Sequence, residues 1–259
     1  MGATARVVTW VTVAIVGAIG AEIALASTGS APPPRLRPDQ VASRMTRAAL
    51  GAAGAAGTFH YRAVWQTGGS TQTIVGDAAP SAGTQAVEVG GSRFAVVVAD
   101  QVVYVTGNVD ALHDQLGLAP ATASADAGRW IALAQADGPY QSMEEGVTTA
   151  AALSQVLIAP RRTSTDRRAH GMVLSRVTGR IPPGTPGQVI AGSATLDVAA
   201  RTTLPAAYTA GGSDGGQPWS SSITFSRWGE RMAVTPPADA LPYSALQGVA
   251  ASGPGTPTG

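Results

Sequence analysis

Phe59-His60-Tyr61-Arg62-Ala63-Val64-Trp65-Gln66 is the stretch from which the architecture of this chain can be read. Phe59, Tyr61, Ala63 and Trp65 alternate with His60, Arg62 and Gln66, the two-residue period of a strand with one buried face. Further strands follow it. Thr73 to Asp77 and Thr84 to Val89 are divided by a Pro/Ser/Gly turn, and Arg93 to Ala99 and Gln101 to Val105 flank Asp100 as a tight hairpin. Upstream, Pro38-Asp39 signals a helix start, with Val41, Met45, Ala48 and Ala49 at helical spacing until Gly51, Gly54 and Gly57.

Downstream, Asn108 is placed to cap a short helix containing Leu112, Leu116 and Leu118. Gly128 to Ala134 reads as a brief strand or extended turn. Glu144 to Ile158 predicts the clearest second helix, with acids in its first turn and Val147, Ala150, Ala151, Leu153, Val156 and Leu157 as its apolar stripe. Gly171 to Arg180, Gln188 to Ala200 and Ser221 to Thr235 return to strand alternation. Consecutive strand runs with segregated helices imply an α+β fold, in which an antiparallel sheet needs the helices to cover its apolar face.

The chain has 259 residues, 44% of them hydrophobic and 13% charged. Its 17 basic and 16 acidic side chains sum to +1, and every basic residue is arginine. A balanced charge offers no long-range field for nucleic acid. The absence of cysteine excludes disulfides, thiolate nucleophiles and cysteine-based metal sites. Without lysine there is no P-loop lysine and no Schiff base. H-E-x-x-H and G-x-G-x-x-G do not occur, and His60, His113 and His170 sit in separate elements. Glu144 and Glu145, adjacent on a helix, point about 100° apart and read as dipole partners rather than an acid–base pair. No enzyme, cofactor or metal is expected.

Val7 to Ala26 holds one charge, Glu22, in twenty residues, about 30 Å of helix. Residues 1–26 therefore predict either a transmembrane anchor or a signal peptide with Arg6 as basic flank and Ala24-Leu25-Ala26 as cleavage site. Residues 27–38 carry four prolines and form a linker, 39–247 one domain, and 248–259 a tail whose composition predicts disorder. Arg6 argues for an internal N-terminus, against competition from Arg35, Arg37, Arg44 and Arg47. The domain is expected outside the cytoplasm, anchored to the membrane or secreted into the envelope.

Phe225-Ser226-Arg227-Trp228-Gly229-Glu230, continuing to Val234-Thr235-Pro236-Pro237-Ala238-Asp239, resembles the closing strand of actinobacterial envelope lipoproteins of the LppX/LprG type. Val102 to Val105, the turn Gly128-Arg129-Trp130-Ile131 and the helix from Glu144 are similar in order and spacing. The resemblance spans about residues 40 to 243. It implies a curved antiparallel half-barrel with helices on its concave face, like the LolA carriers, and a non-catalytic role in holding acyl chains of lipids. One departure stands out: these lipoproteins carry a lipidated cysteine after the signal segment, and this chain has none.

The expected function is thus an extracytoplasmic binder or carrier of an apolar ligand, a lipid or lipid-linked molecule. The alternative is a membrane-tethered envelope interaction or regulatory module with a closed core. Residues expected to line the concavity are Trp65, Phe94, Val96, Val98, Val103, Val105, Leu153, Leu157, Leu196 and Val198; a one-residue register error would flip any strand. Val and Ala dominate 94–99 and 102–105 and leave room for a chain to lie. Arg161, Arg162, Arg167 and Arg168, read as a basic loop, are candidates for contact with anionic head groups. Trp130 and Trp228 read as packing residues.

Overall fold

The computed structural model describes residues 36–169, 171–182 and 191–247, with side chains at 165–169 and 191 excepted. The N-terminal segment, the linker as far as residue 35, His170 and the tail lie outside the described residues. Among those described, no helix is long and apolar enough to cross a membrane.

Helix α1, Pro38–Ala56, opens with Pro38 in its first turn, and the Gln40 side chain accepts from the Arg37 amide at 2.9 Å. It runs through Gly51 and Gly54 and stops at Gly57, whose φ of 77° suits glycine. The buried stripe is Ala42, Thr46, Ala49 and Ala53, one position over from the expected one; Val41 is exposed. Such small residues let the helix approach the sheet closely.

Strands β1 Phe59–Thr67, β2 Ser70–Ala78, β3 Gly83–Val89, β4 Ser92–Ala99 and β5 Val102–Gly107 form a meander of hairpins. Asp100 and Gln101, at φ 51° and 63°, make the tight turn expected there. Helices α2 Val109–Leu116 and α3 Pro120–Asp126 follow; Asn108 caps α2 by accepting from the Ala111 amide at 3.1 Å. Strand β6, Ile131–Leu133, and two short helices, α4 Tyr140–Glu144 and α5 Thr149–Ser154, complete the first half.

The second half is β7 Ala159–Ala169, β8 Met172–Arg180, β9 Ala191–Ala199, β10 Pro205–Asp214 and β11 Gln217–Ser226. A two-residue strand β12, Leu241–Pro242, and helix α6, Tyr243–Gln247, end the described chain. All twelve strands form one curved, unclosed sheet in the order β12-β6-β5-β4-β3-β2-β1-β11-β10-β9-β8-β7, antiparallel except where β12 meets β6. This is the α+β half-barrel that the strand pattern and the family resemblance predict.

Several elements depart from expectation. The helix predicted over 144–158 is two short ones. Gly146, at φ 80°, and the Thr148 side chain, which accepts from the Ala151 amide, break it. Glu144 and Glu145 consequently end α4 instead of opening a long helix. The arginine-rich "loop" at 161–168 is the outer edge strand β7, and no strand continues beyond Ser226 until the two residues of β12. The sequence reading had no counterpart for β10.

Candidate functional site

The registers show which side chains share the concave face. One row crosses the sheet as Phe94, Val87, Ile74, Ala63, Ile223, Tyr208, Leu196 and Val177. A parallel row runs Val105, Val96, Gln85, Gly76, Tyr61 and Phe225. Trp65, Phe94, Val96, Val98, Val103, Val105, Leu196 and Val198 therefore lie on a single face, the parity the alternation implied.

They do not share one space. Val96, Val98, Val103 and Val105 are at most 2% exposed and pack beneath α2, α3 and α4 through Leu112, Leu116, Ala123, Tyr140 and Met143. Trp65, Leu153, Leu196 and Val198 belong to a second cluster under α1 and α5, with Phe94 bordering both. Leu157 turns out of the interior, at 48% exposure, because α5 ends at Ser154; Val156, from the same predicted stripe, stays buried. Six helical segments, α1 to α6, pack against these two clusters, where the sequence offered only the two central helices, near 108–118 and over 144–158, as cover.

Tyrosines fasten this cover. The Tyr61 hydroxyl donates to the Gly146 carbonyl at 2.9 Å and accepts from Gln85 Nε2 at 2.5 Å. Tyr208 donates to the Leu157 carbonyl at 2.8 Å. Burial pushes both phenols above their ordinary pKa, so they serve as neutral donors. Gly83 has no room for a side chain: a Cβ would collide with the Val147 carbonyl oxygen.

The two ends of this second cluster differ. At one, Phe59 is 4.6 Å from Trp228 and 5.6 Å from Phe225, centroid to centroid, and Trp228 Nε1 donates to the Pro205 carbonyl at 3.1 Å. Gly229 and Glu230 are bonded back to Thr58, at 2.9 and 2.7 Å. The Phe225–Glu230 motif is a plug, and Trp228 is a packing residue.

At the opposite end the inner face is built of small residues. Gly179, Ala194, Ala210 and Ser221 stand side by side across β8, β9, β10 and β11, next to Trp65; Gly192, Gly212 and Trp219 form the row beyond. Trp65 and Trp219 are half-buried. Ser221 is 3% exposed, and its hydroxyl and the Trp219 Nε1 are buried without a hydrogen-bond partner among the described residues. An unsatisfied buried polar group costs about 1–3 kcal/mol. Sequence reasoning passed over Trp219 and Ser221, although the alternation Trp219, Ser221, Ile223, Phe225 carries the signal.

This rim adjoins a groove of about 780 Å³ lined by Asp39, Pro160, Arg161, Arg162, Thr178, Gly179, Arg180 and Ser193. A smaller one, about 280 Å³, lies along α1 between Leu36, Asp39, Gln40, Ser43, Arg44 and Arg47. Arg161 and Arg162 are thus exposed at the groove, whereas the side chains of Arg167 and Arg168 lie outside the described residues.

The remaining candidates are structural. His60 sits on the convex face with Nδ1 3.0 Å from Asp77 Oδ1, and His113 Nδ1 meets the Leu118 carbonyl at 2.7 Å. Gly211-Gly212-Ser213-Asp214-Gly215 matches G-x-S-x-G, yet it forms the β10–β11 hairpin, with Ser213 exposed, and not the strand-to-helix elbow such a nucleophile needs. No cluster of metal-ligating side chains occurs among the described residues.

No protein-family model and no curated protein matches the chain. Solved structures do. The Mycobacterium tuberculosis lipoprotein LppX aligns over 75% of this chain and 98% of its own, at 16% identity and a TM-score of 0.47. An uncharacterized conserved protein from Thermus thermophilus aligns over 78% and 98%, at 13% identity and a TM-score of 0.38. MucB, solved in complex with MucA(peri), aligns over 76% of this chain and 63% of its own, at 16% identity and a TM-score of 0.34.

Proposed function

We propose that the chain is a non-catalytic, extracytoplasmic binding protein for an apolar ligand carrying a polar end, such as a lipid, and that the ligand enters at the small-residue rim. The observation that carries this reading is the unpartnered pair Ser221 Oγ and Trp219 Nε1, buried beside Gly179, Ala194 and Ala210. A ligand's polar group would satisfy them, and its chain would lie against the small side chains between the two indoles. Location outside the cytoplasm rests on the apolar segment Val7 to Ala26.

Uptake of long-chain fatty acid and phospholipid, read by native mass spectrometry, tests it. Ala210→Phe places a ring on this row, where a ligand chain would lie, and is expected to weaken uptake at least about tenfold, the equivalent of one lost methylene pair. Equal uptake by both proteins overturns the site, and no uptake by either overturns the ligand reading.

A second reading has its own support. The half of the concave face under α2, α3 and α4 is sealed, with Val103, Leu112, Ile131 and Leu133 fully buried. A core closed throughout would make the domain a tethered interaction module, and the uptake measurement separates the two.

A further inference from the structure

We infer that the rim around the N-terminus of α1 docks onto an anionic lipid bilayer, so that the small-residue end of the half-barrel faces the membrane. The two grooves share Asp39, and their other charged lining residues are Arg44, Arg47, Arg161, Arg162 and Arg180. Five arginines against one carboxylate is a strong local imbalance in a chain whose total is +1. Asp39 is itself 3.8 Å from Arg37, an exposed pair that leaves the surplus unchanged.

Apolar side chains accompany this charge. Leu36, at 44% exposure, lines the smaller groove, and Leu157, at 48%, lies three residues before the groove-lining Pro160. Exposed leucines among arginines suit the boundary between head groups and acyl chains, where each contributes: the cations to phosphate, the leucines to the shallow apolar layer. A nucleic acid, read through its phosphates, would leave the leucines unused.

The occupant is argued from the chain itself. Ser27 to Pro38 separates the apolar segment from α1 and spans at most about 40 Å fully extended. The arginine rim begins where that tether ends, so a bilayer holding residues 7–26 presents its surface to this rim at high effective concentration. Attraction beyond about 8 Å is screened at physiological salt, so docking requires contact.

The absence of cysteine makes the test direct. The full chain is reconstituted in vesicles of phosphatidylcholine, with or without phosphatidylglycerol, carrying one fluorophore at Leu157→Cys or at Met172→Cys. Met172 is equally exposed at the other end of β8, about 26 Å from Arg180. Quenching by spin-labelled lipid is expected at Leu157→Cys, only in vesicles with phosphatidylglycerol, and to vanish in high salt.

Arg161→Gln, Arg162→Gln and Arg180→Gln together should lower the docked-to-free ratio about a hundredfold, about fivefold for each. Equal quenching at the two positions, quenching independent of phosphatidylglycerol, or quenching that survives the triple replacement overturns docking. Docking does not require an occupied rim: Ala210→Phe leaves this quenching intact, so its failure and that of ligand uptake are distinguishable.

Discussion

The Tyr208 hydroxyl reaches the carbonyl of Leu157 across 2.8 Å and so ties the segment after α5 to the sheet at the edge of the rim. Tyr208→Phe deletes one hydrogen bond from a buried site and should cost about 1 kcal/mol, lowering Tm by about 2–4 °C. Gly83→Ala is expected to cost more, about 1–3 kcal/mol, because the added methyl meets the Val147 carbonyl, which is fixed backbone. On the convex face, Arg176 binds Asp197 through two contacts of 2.7 Å. Asp197 is 8% exposed, so Arg176→Gln strands its charge and should destabilise the domain by about 2 kcal/mol; urea melts check both substitutions. An unchanged midpoint for Arg176→Gln would show that solvent reaches Asp197 freely.

At the scale of elements, the break between α4 and α5 puts Glu145 in an awkward place. Burial raises its carboxyl pKa above the ordinary value. The folded state thus holds this proton to higher pH than the unfolded state does, and stability is lost as pH rises from the unfolded value through the raised one. Glu145→Gln should raise Tm at pH 7 and leave it unchanged at pH 4; equal shifts at both would contradict the burial. Edge strand β7 bears on the arginines too, since charged side chains on an exposed edge discourage edge-to-edge pairing.

How far such elements were legible follows from their physics. Phe59 to Trp65 announced β1 because period two is local, and Asn108 announced α2 because capping is local. The 144–158 break was legible only as Gly146 within an otherwise apolar stripe, a signal outweighed by periodicity. β10 escaped notice because Tyr208 is its one large inner residue, and the inner positions after it, Ala210 and Gly212, are small. β7 escaped because its described side chains, at 159–164, include none that is buried and so carry no apolar alternation. The choice of face for the candidate lining residues followed from alternation. Their division between two clusters did not, since it depends on which helix lands on which strand.

At the scale of the whole molecule, the sheet beneath α1 and α5 is plugged at one end and built of small residues at the other. This asymmetry predicts opposite consequences for two tryptophans. Trp228→Ala opens the aromatic plug and should cost about 3 kcal/mol in stability, read by thermal melting. Trp219→Ala should change stability far less, because its ring is no more buried than that of Trp228 and its Nε1, unlike that of Trp228, lacks a hydrogen-bond partner among the described residues, while weakening lipid uptake. If the two substitutions exchanged effects, the assignment of plug and entrance would be reversed.

Binding at the rim is tested most directly by locating a ligand in a crystal of the domain grown with a bromine-labelled acyl chain. The anomalous signal should lie between Trp65, Trp219 and Ala210, with the polar end of the chain within hydrogen-bonding distance of Ser221 Oγ. An interior packed by protein side chains alone, with bromine only on the convex face or nowhere, would contradict the account.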